Sequence, residues 1–596
     1  MTTTRPELIG TFGMVASTHW QASAAGMAML EQGGNAFDAA AATGLALQVV
    51  EPHQNGPGGE APLLLYDAAG RTVRALSGQG VAPAAANISR FSDLGLDQVP
   101  GTGLLAACVP AALASWLTLM RDHGTLPLTT ILSPAIALAE RGYGVVPMLQ
   151  AVTESVAGFI VDNWPATAAL YLDHGKPLQA GTLWQNPTLA ATFRRLLKEA
   201  EAGGGGREPV LDRAIRTVRQ GFIAEEIDRF CQSTTAIDST GRAHRAWLTG
   251  EDMAAWRPSW ESPATYDYTG WQVSKLGPWS QGPVFLQQLA LLQDDDLARL
   301  DPVGPDFIHL MVEAGKLAFA DREAWYGDPA YVDVPLATLL SKAYNQSRRG
   351  LIGDRASLDL RPGTPDGRTP HLVTLANAGH MTGAAGVGEP ARHRLATPRH
   401  PTEQPGDTVH LDVIDSAGNM VSAMPSGGWL QSSPAIPALG FCLGTRMQMF
   451  HLDAAHPSAL APGRRPRTTL SPGLAITGDS GLAFGSPGGD QQDQWALALF
   501  LRHIHHGFDL QASIEAPMVT SEHAPSSFYP RQGRPGVLLA ESRLPAATVT
   551  ELVRRGHRLE QVGPWDLGRL NAVRRDGAVL RAGSTPRYGQ SYAVGR

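Results

Sequence analysis

At 596 residues the chain has room for several domains, and 43% hydrophobic against 17% charged residues describe a globular protein with ample core rather than a disordered one. A net charge of −7 is mild for this size and gives no reason to expect nucleic acid or an anionic membrane as partner. The N-terminus lacks an apolar secretory core and no later run reaches bilayer length, so the expectation is a soluble, cytoplasmic protein without membrane contact. The cysteines Cys108, Cys231 and Cys442 are far apart and lack CxxC spacing, which reads as free, packed thiols rather than a disulfide framework or a metal site.

In chain order, a short strand is predicted over Met14 to Ala16, followed by an amphipathic helix through Met27, Met29 and Leu30 that stops at Gly33-Gly34. Asn35 is a plausible cap for a second helix from Phe37 to Val50. Glu51-Pro52 through Gly58-Gly59 breaks that helix and opens onto a buried strand, Leu63 to Asp67, with a further strand over Thr72 to Leu76. From Gly103 to about Gly350 the pattern is mainly helical, interrupted by a glycine-rich loop between Glu201 and Arg207 and by mixed strand character from Leu248 to Val273. Val312 to Trp325 is a strongly patterned helix. Residues 352 to 405 lose periodicity, and a loop of that length is usually functional or mobile. Beyond it the chain reads as strands plus two helices, Gln492 to His506 and Ala546 to Arg555.

The most informative stretch begins with the turn Pro405-Gly406-Asp407. Thr408 follows, and Val409 to Asp415 then reads as a buried strand. Ser416-Ala417-Gly418-Asn419 turns the chain into a second strand through Met420, Val421 and Ala423, toward Ser426-Gly427-Gly428. By itself this is a hairpin with a structural threonine at a strand start. Its company changes the reading. Gly13-Met14-Val15-Ala16-Ser17, Gly33-Gly34-Asn35-Ala36-Phe37-Asp38-Ala39-Ala40 with Glu51-Pro52, Glu313-Ala314 through Ala320-Asp321-Arg322 with Gly327-Asp328-Pro329, and Ser486-Pro487-Gly488-Gly489 stand in order around it. Together these blocks resemble the gamma-glutamyltransferase family of N-terminal-nucleophile hydrolases over roughly residues 10 to 570.

The resemblance implies an α+β fold, the four-layer αββα sandwich of the N-terminal-nucleophile hydrolases, made as an inactive precursor. It implies autocleavage between Asp407 and Thr408 into a large piece, 1–407, ending in a mobile linker over 352–407, and a small piece, 408–596. The two would form one αββα domain as a heterodimer, with or without further dimerisation. Cleavage frees the Thr408 α-amine, whose pKa near neutrality suits a general base for its own hydroxyl. Gly488 and Gly489 look like an oxyanion hole, the bland alternative being a β-turn. Ser426 falls where the family has a second Thr beside the nucleophile. Thr468 and Thr469 replace paired serines that hold the glutamyl α-carboxylate. Secreted relatives carry a signal peptide that is not visible here.

The departures concern substrate. Gln79 stands at the position of the Arg that pairs with the α-carboxylate, Gln448 at that of the Asp that reads the ammonium, and Gly428 replaces an Asn at the same end. An amide hydrolase whose acyl group is not an ordinary γ-glutamyl is therefore expected, with a small-molecule amide as substrate. Arg446 or Arg467 could read an isolated carboxylate, as in oxamate or a glutaryl amide, or could be ordinary structural arginines. Asp490 or Asp493 either lines the pocket or caps the next helix, and Trp429 with residues 430–441 forms either a lid or an inert loop. In Arg502-His503-Ile504-His505-His506, His505 turns away from the side that His503 and His506 share on a helix, so no metal is expected, and no cofactor is implied. Two other readings compete: gamma-glutamyltransferase or glutathione hydrolase activity with altered anchors, and a non-catalytic structural descendant.

Overall fold

The strand Leu411–Asp415 is buried along its whole length and pairs antiparallel on both edges, with Gly13–Ser17 on one side and Met420–Ala423 on the other. A computed structural model describes residues 3–373 and 408–596. The bond between Asp407 and Thr408, and the part of the expected linker from 374 to 407, lie outside the described residues.

Two antiparallel seven-stranded sheets face each other. The first runs Tyr592–Gly595, Gly13–Ser17, Leu411–Asp415, Met420–Ala423, Leu63–Asp67, Thr72–Ser77, Ser259–Glu261. The second runs Leu8–Gly10, Val579–Ser584, Asn571–Asp576, Ser480–Gly485, Gly473–Thr477, Trp271–Lys275, Ala264–Tyr268. Side chains alternate between the two faces of a strand. Met14, Ala16, Ile414 and Met420 meet Leu474, Ala483, Val573 and Leu580 between the sheets. Val15, Leu411, Val413 and Val421 turn outward onto helices that include Trp20–Glu31 and Ala36–Val50. Val273, Leu482, Phe484 and Ala572 do the same against Gly282–Leu291, Pro305–Trp325 and Gln492–His506. Both faces of each sheet are thus apolar, the physical requirement of the αββα sandwich.

Most expected elements are present within a residue or two. The helix expected from Val312 begins earlier, because Pro305 sits in its first turn where a missing N–H costs nothing. Residues 352–373 carry one short 3₁₀ turn, Pro365–Gly367, and are tied down by ion pairs such as Arg361–Glu313 and Arg368–Asp333. Neither Asp490 nor Asp493 caps Gln492–His506: that helix has no side-chain cap, and both carboxylates are drawn into buried ion pairs. The three cysteines are free and buried. Among the described residues no helix is long and apolar enough to cross a membrane.

The Gly34-Asn35-Ala36-Phe37-Asp38 block has a local explanation. Asn35 accepts from the N–H groups of Phe37 and Asp38, while Asp38 accepts from Asn35 N at 3.1 Å, a reciprocal capping box. The buried Asp38 carboxylate also takes both the N–H and the hydroxyl of Thr125, and the N–H of Leu126. Asp38→Ala leaves these donors without an acceptor and should destabilise the protein by about 2–3 kcal/mol. The expected reading is a lower denaturant midpoint at unchanged slope, and an unmoved midpoint would refute it.

Candidate active site

Thr408 enters the first sheet through an antiparallel bridge to Ser426, and the two hydroxyl oxygens lie 3.1 Å apart. Ser426 is fixed in turn by Glu60: Ser426 N donates to Glu60 O at 2.9 Å and Glu60 N to Ser426 O at 2.8 Å. Arg446 closes the arrangement. Its Nη2 donates to Ser426 Oγ at 2.7 Å, its Nε to the Glu60 carboxylate at 2.5 Å, and its guanidinium carbon lies 5.1 Å from the centre of the Trp429 ring. All five residues are buried. Burial pushes the Glu60 carboxyl up from its ordinary range, and Arg446 opposes that shift. Because an arginine can only donate, the Ser426 oxygen accepts from it, and in the contact between Ser426 Oγ and Thr408 Oγ1 either hydroxyl can be the donor.

Close backbone approach builds this corner. A side chain at Gly59 would run 2.1 Å from Ser426 O, and one at Gly56 would run 2.8 Å from Gly428 O. Gly427 and Gly428 have φ of 75° and 71°, so residue 428 is a tight-turn position where a larger side chain would be strained. Trp429 is fully buried, and residues 430–441 contribute to the core the short strand Ala435–Ile436 and Phe441, the first residue of the strand Phe441–Cys442 that pairs with it; this segment is a wall, not an exposed lid.

The second sheet brings the glycine pair alongside. Gly485, which ends the strand Ser480–Gly485, leaves room for a side chain only 2.6 Å from His410, two residues beyond Thr408. Gly488 and Gly489 follow with φ of 126° and 53°. A Cβ at Gly488 would lie 2.4 Å from the Trp495 ring. Neither glycine N–H donates to any described residue, while Gly488 O accepts from Gln491 N and Gly489 O from Gln281 Nε2. Two unspent N–H groups just ahead of the helix Gln492–His506 suit a developing oxyanion.

The expected substrate residues are in varied states. Gln79 donates to Gly80 O, and its Oε1 finds no hydrogen-bond partner among the described residues. Gln448 is held by main chain, donating to Gly101 O and Thr445 O and accepting from Tyr529 N. Thr468 Oγ1 accepts from Leu470 N, and Thr469 Oγ1 has no partner among the described residues. Arg446 and Arg467 are both engaged, the latter with Glu323 at 3.2 Å and Ser527 Oγ at 2.9 Å. The three histidines of the 503–506 run go to three different partners, Phe508 O, Tyr268 Oη and Leu300 O. Sequence reasoning missed Glu60, whose only signal was an acidic residue closing a glycine-rich turn. It also missed Arg322, which meets Asp490 at 2.5 Å and Glu323 at 2.7 Å.

A threonine hydroxyl at the head of a central strand, a hydroxyl partner and an open glycine turn, set between two sheets, define the N-terminal-nucleophile amidohydrolase class. The chain belongs to the gamma-glutamyltranspeptidase family, whose model matches residues 22–595. It is 32% identical to the acylase ACY 1 proenzyme of a Pseudomonas species, over 97% of this chain and 93% of that protein. The solved structure of LmbA2991HD is 50% identical with a TM-score of 0.93, covering 100% of both chains. A cephalosporin acylase from Bacillus halodurans is 28% identical with a TM-score of 0.81, over 100% of this chain and 97% of that one.

Gly488→Ala should lower kcat by about a hundredfold or more, since it strains the turn and displaces a donor; an unchanged rate in folded protein would remove the turn from the chemistry. Asp490 carries a pH signature. Burial alone would raise its pKa, but Arg322, Ser527 and Arg467 outweigh burial and hold it at about 2. A depressed carboxylate contributes stability above its unfolded pKa of about 3.8 and loses it as pH falls toward 2. Asp490→Asn should therefore flatten the fall in thermal midpoint between those pH values, and an unaltered acid limb would contradict the assignment.

Proposed function

We propose that this chain is a self-cleaving amide hydrolase or acylase that works through an acyl-enzyme on Thr408, on a substrate other than an ordinary γ-glutamyl compound. The observation that carries the reading is the buried line from Thr408 through Ser426 and Arg446 to Glu60, beside two glycine N–H groups with no acceptor among the described residues. Scission before Thr408 frees its α-amine. The amine takes the hydroxyl proton as Oγ1 attacks the amide carbonyl, and the N–H groups of Gly488 and Gly489 take the charge that develops on oxygen. Proton return to the leaving nitrogen gives the amine product and a Thr408 ester, which water, activated by the same amine, then hydrolyses. Ser426 steadies Oγ1 through the hydrogen bond between the two hydroxyls.

Several observations support this. A relative covering nearly the whole chain is an acylase made as a proenzyme, and a structural neighbour is a cephalosporin acylase. The expected pieces, 1–407 and 408–596, would remain joined after scission, because Leu411–Asp415 pairs with Gly13–Ser17 from the large piece and Met420–Ala423 with Leu63–Asp67. Gln448 spends its amide on main chain and Gln79 carries no charge, so neither supplies a charged anchor for a glutamyl zwitterion. A gamma-glutamyltransferase with altered anchors would need those charges from elsewhere.

Denaturing intact mass on purified protein beside Thr408→Ala tests the reading. Two fragments dividing at Asp407/Thr408 in the wild type and one intact chain in the variant are expected. A single uncut chain in both would overturn it.

A further inference from the structure

The helix layer on the second sheet holds a buried cluster of nitrogen and oxygen ligands for which the amide chemistry has no use. His309 and Glu313 stand four residues apart on the helix Pro305–Trp325, so both side chains leave it on one face. His557 reaches the same place from far along the chain, between the helix Ala546–Arg554 and the strand Arg558–Val562. One ligand atom from each residue lies within 4.8 Å of the other two, and all three residues are buried. His309 Nδ1 and His557 Nε2 are 2.9 Å apart, and His309 Nε2 lies 2.8 Å from Gly353 O. A carbonyl only accepts, so the proton of the neutral His309 ring sits on Nε2 and the Nδ1 lone pair faces His557. The contact between the rings then takes a proton on His557 Nε2. That leaves His557 Nδ1 a buried lone pair with no partner among the described residues. Burial lowers the His309 pKa from its ordinary value and, with Lys316, takes that of His557 to about 3, so both rings are neutral.

An imidazole that gives one N–H to a backbone carbonyl and turns its other nitrogen to a ligand cluster has the orientation of a metal-binding histidine. Zinc–nitrogen bonds of about 2.0–2.1 Å across the 2.9 Å separation subtend about 90°, and parting the two nitrogens by about 0.4 Å opens this to the tetrahedral angle. An ion there takes the lone pair of His557 Nε2, and the ring proton moves to the unpartnered Nδ1. The cluster also has a competitor. Lys316 Nζ donates to Glu313 Oε1 at 2.6 Å and to Ser357 O at 2.9 Å. Glu313 Oε2 accepts from Ser357 N at 3.2 Å and from Arg361 at 3.4 Å. Arg555, the other cation nearby, is paired with Asp306 and Glu551. We propose that His309, Glu313 and His557 form a binding site for a divalent transition metal such as zinc, with Lys316 the competitor for its carboxylate. Two imidazoles and one carboxylate suit such an ion, whereas Mg²⁺ and Ca²⁺ favour oxygen alone. A bound ion would tie the helix Pro305–Trp325 to residue 557, two parts of the chain on opposite sides of Thr408 in sequence. The inference does not depend on the amide-hydrolase reading.

The test uses the full chain, stripped with a chelator that is then removed. Zn²⁺ and Co²⁺ are titrated by calorimetry, and Co²⁺ is followed by its visible absorption. One ion per chain is expected, with a thermal midpoint that rises with ion concentration. His309→Gln and His557→Gln should each weaken binding by about a hundredfold. Lys316→Met should tighten it by about tenfold, since it frees the carboxylate from a charged hydrogen bond. That gain is one that a purely structural cluster would not give. If one histidine variant fails to fold, the other and Lys316→Met carry the comparison. Thr408→Ala should bind as the wild type does, because the ligands are in place whether or not the chain is cut. No saturable binding, binding unmoved by either histidine substitution, or an equal response to Mg²⁺ overturns the inference. Binding that Lys316→Met leaves unchanged overturns the role given to Lys316.

Discussion

The buried Arg446–Glu60 pair is the interaction on which the site depends. Glu60 closes a glycine-rich turn of the N-terminal region, Arg446 opens a 3₁₀ turn more than three hundred residues later, and Ser426 is gripped by both. Neither charge would be tolerable alone at this depth. Paired, they fix Ser426 from two sides, and its hydroxyl lies 3.1 Å from that of Thr408. Thr408 thus meets a hydroxyl that is held in place by an ion pair.

The same constraint explains the local glycines. Glu60 reaches Arg446 only because Gly56 and Gly59 let their backbone press against Gly427 and Gly428, where any Cβ would collide with main chain. The Asn that the family resemblance places at position 428 is replaced by glycine in a position of positive φ.

Charge in the interior is organised in separate units. Arg446 with Glu60 is balanced, and so is Lys275, 3.1 Å from Asp493 beneath the second sheet. A third unit gathers Arg322 and Arg467 around the carboxylates of Glu323 and Asp490.

Much of the architecture was legible in the chain. Leu63–Asp67, Ala36–Val50 and Gln492–His506 declare themselves through short apolar runs, an Asn cap and helical periodicity, because these signals are local. Thr408, Ser426 and the glycine pair were singled out through the resemblance carried by the blocks around them, and the structure sets the Thr408 and Ser426 hydroxyls 3.1 Å apart. The expectations for Asp490, Asp493, Arg446 and Arg467 went differently. A charged side chain's role is set by its partner, and each of these pairs with a group more than a hundred residues away. By itself the sequence determined the helices and strands of the layers, which depend on periodicity and residue type. Only the tertiary structure decided which charges pair with which, because electrostatic partnership depends on distance and burial rather than on order along the chain.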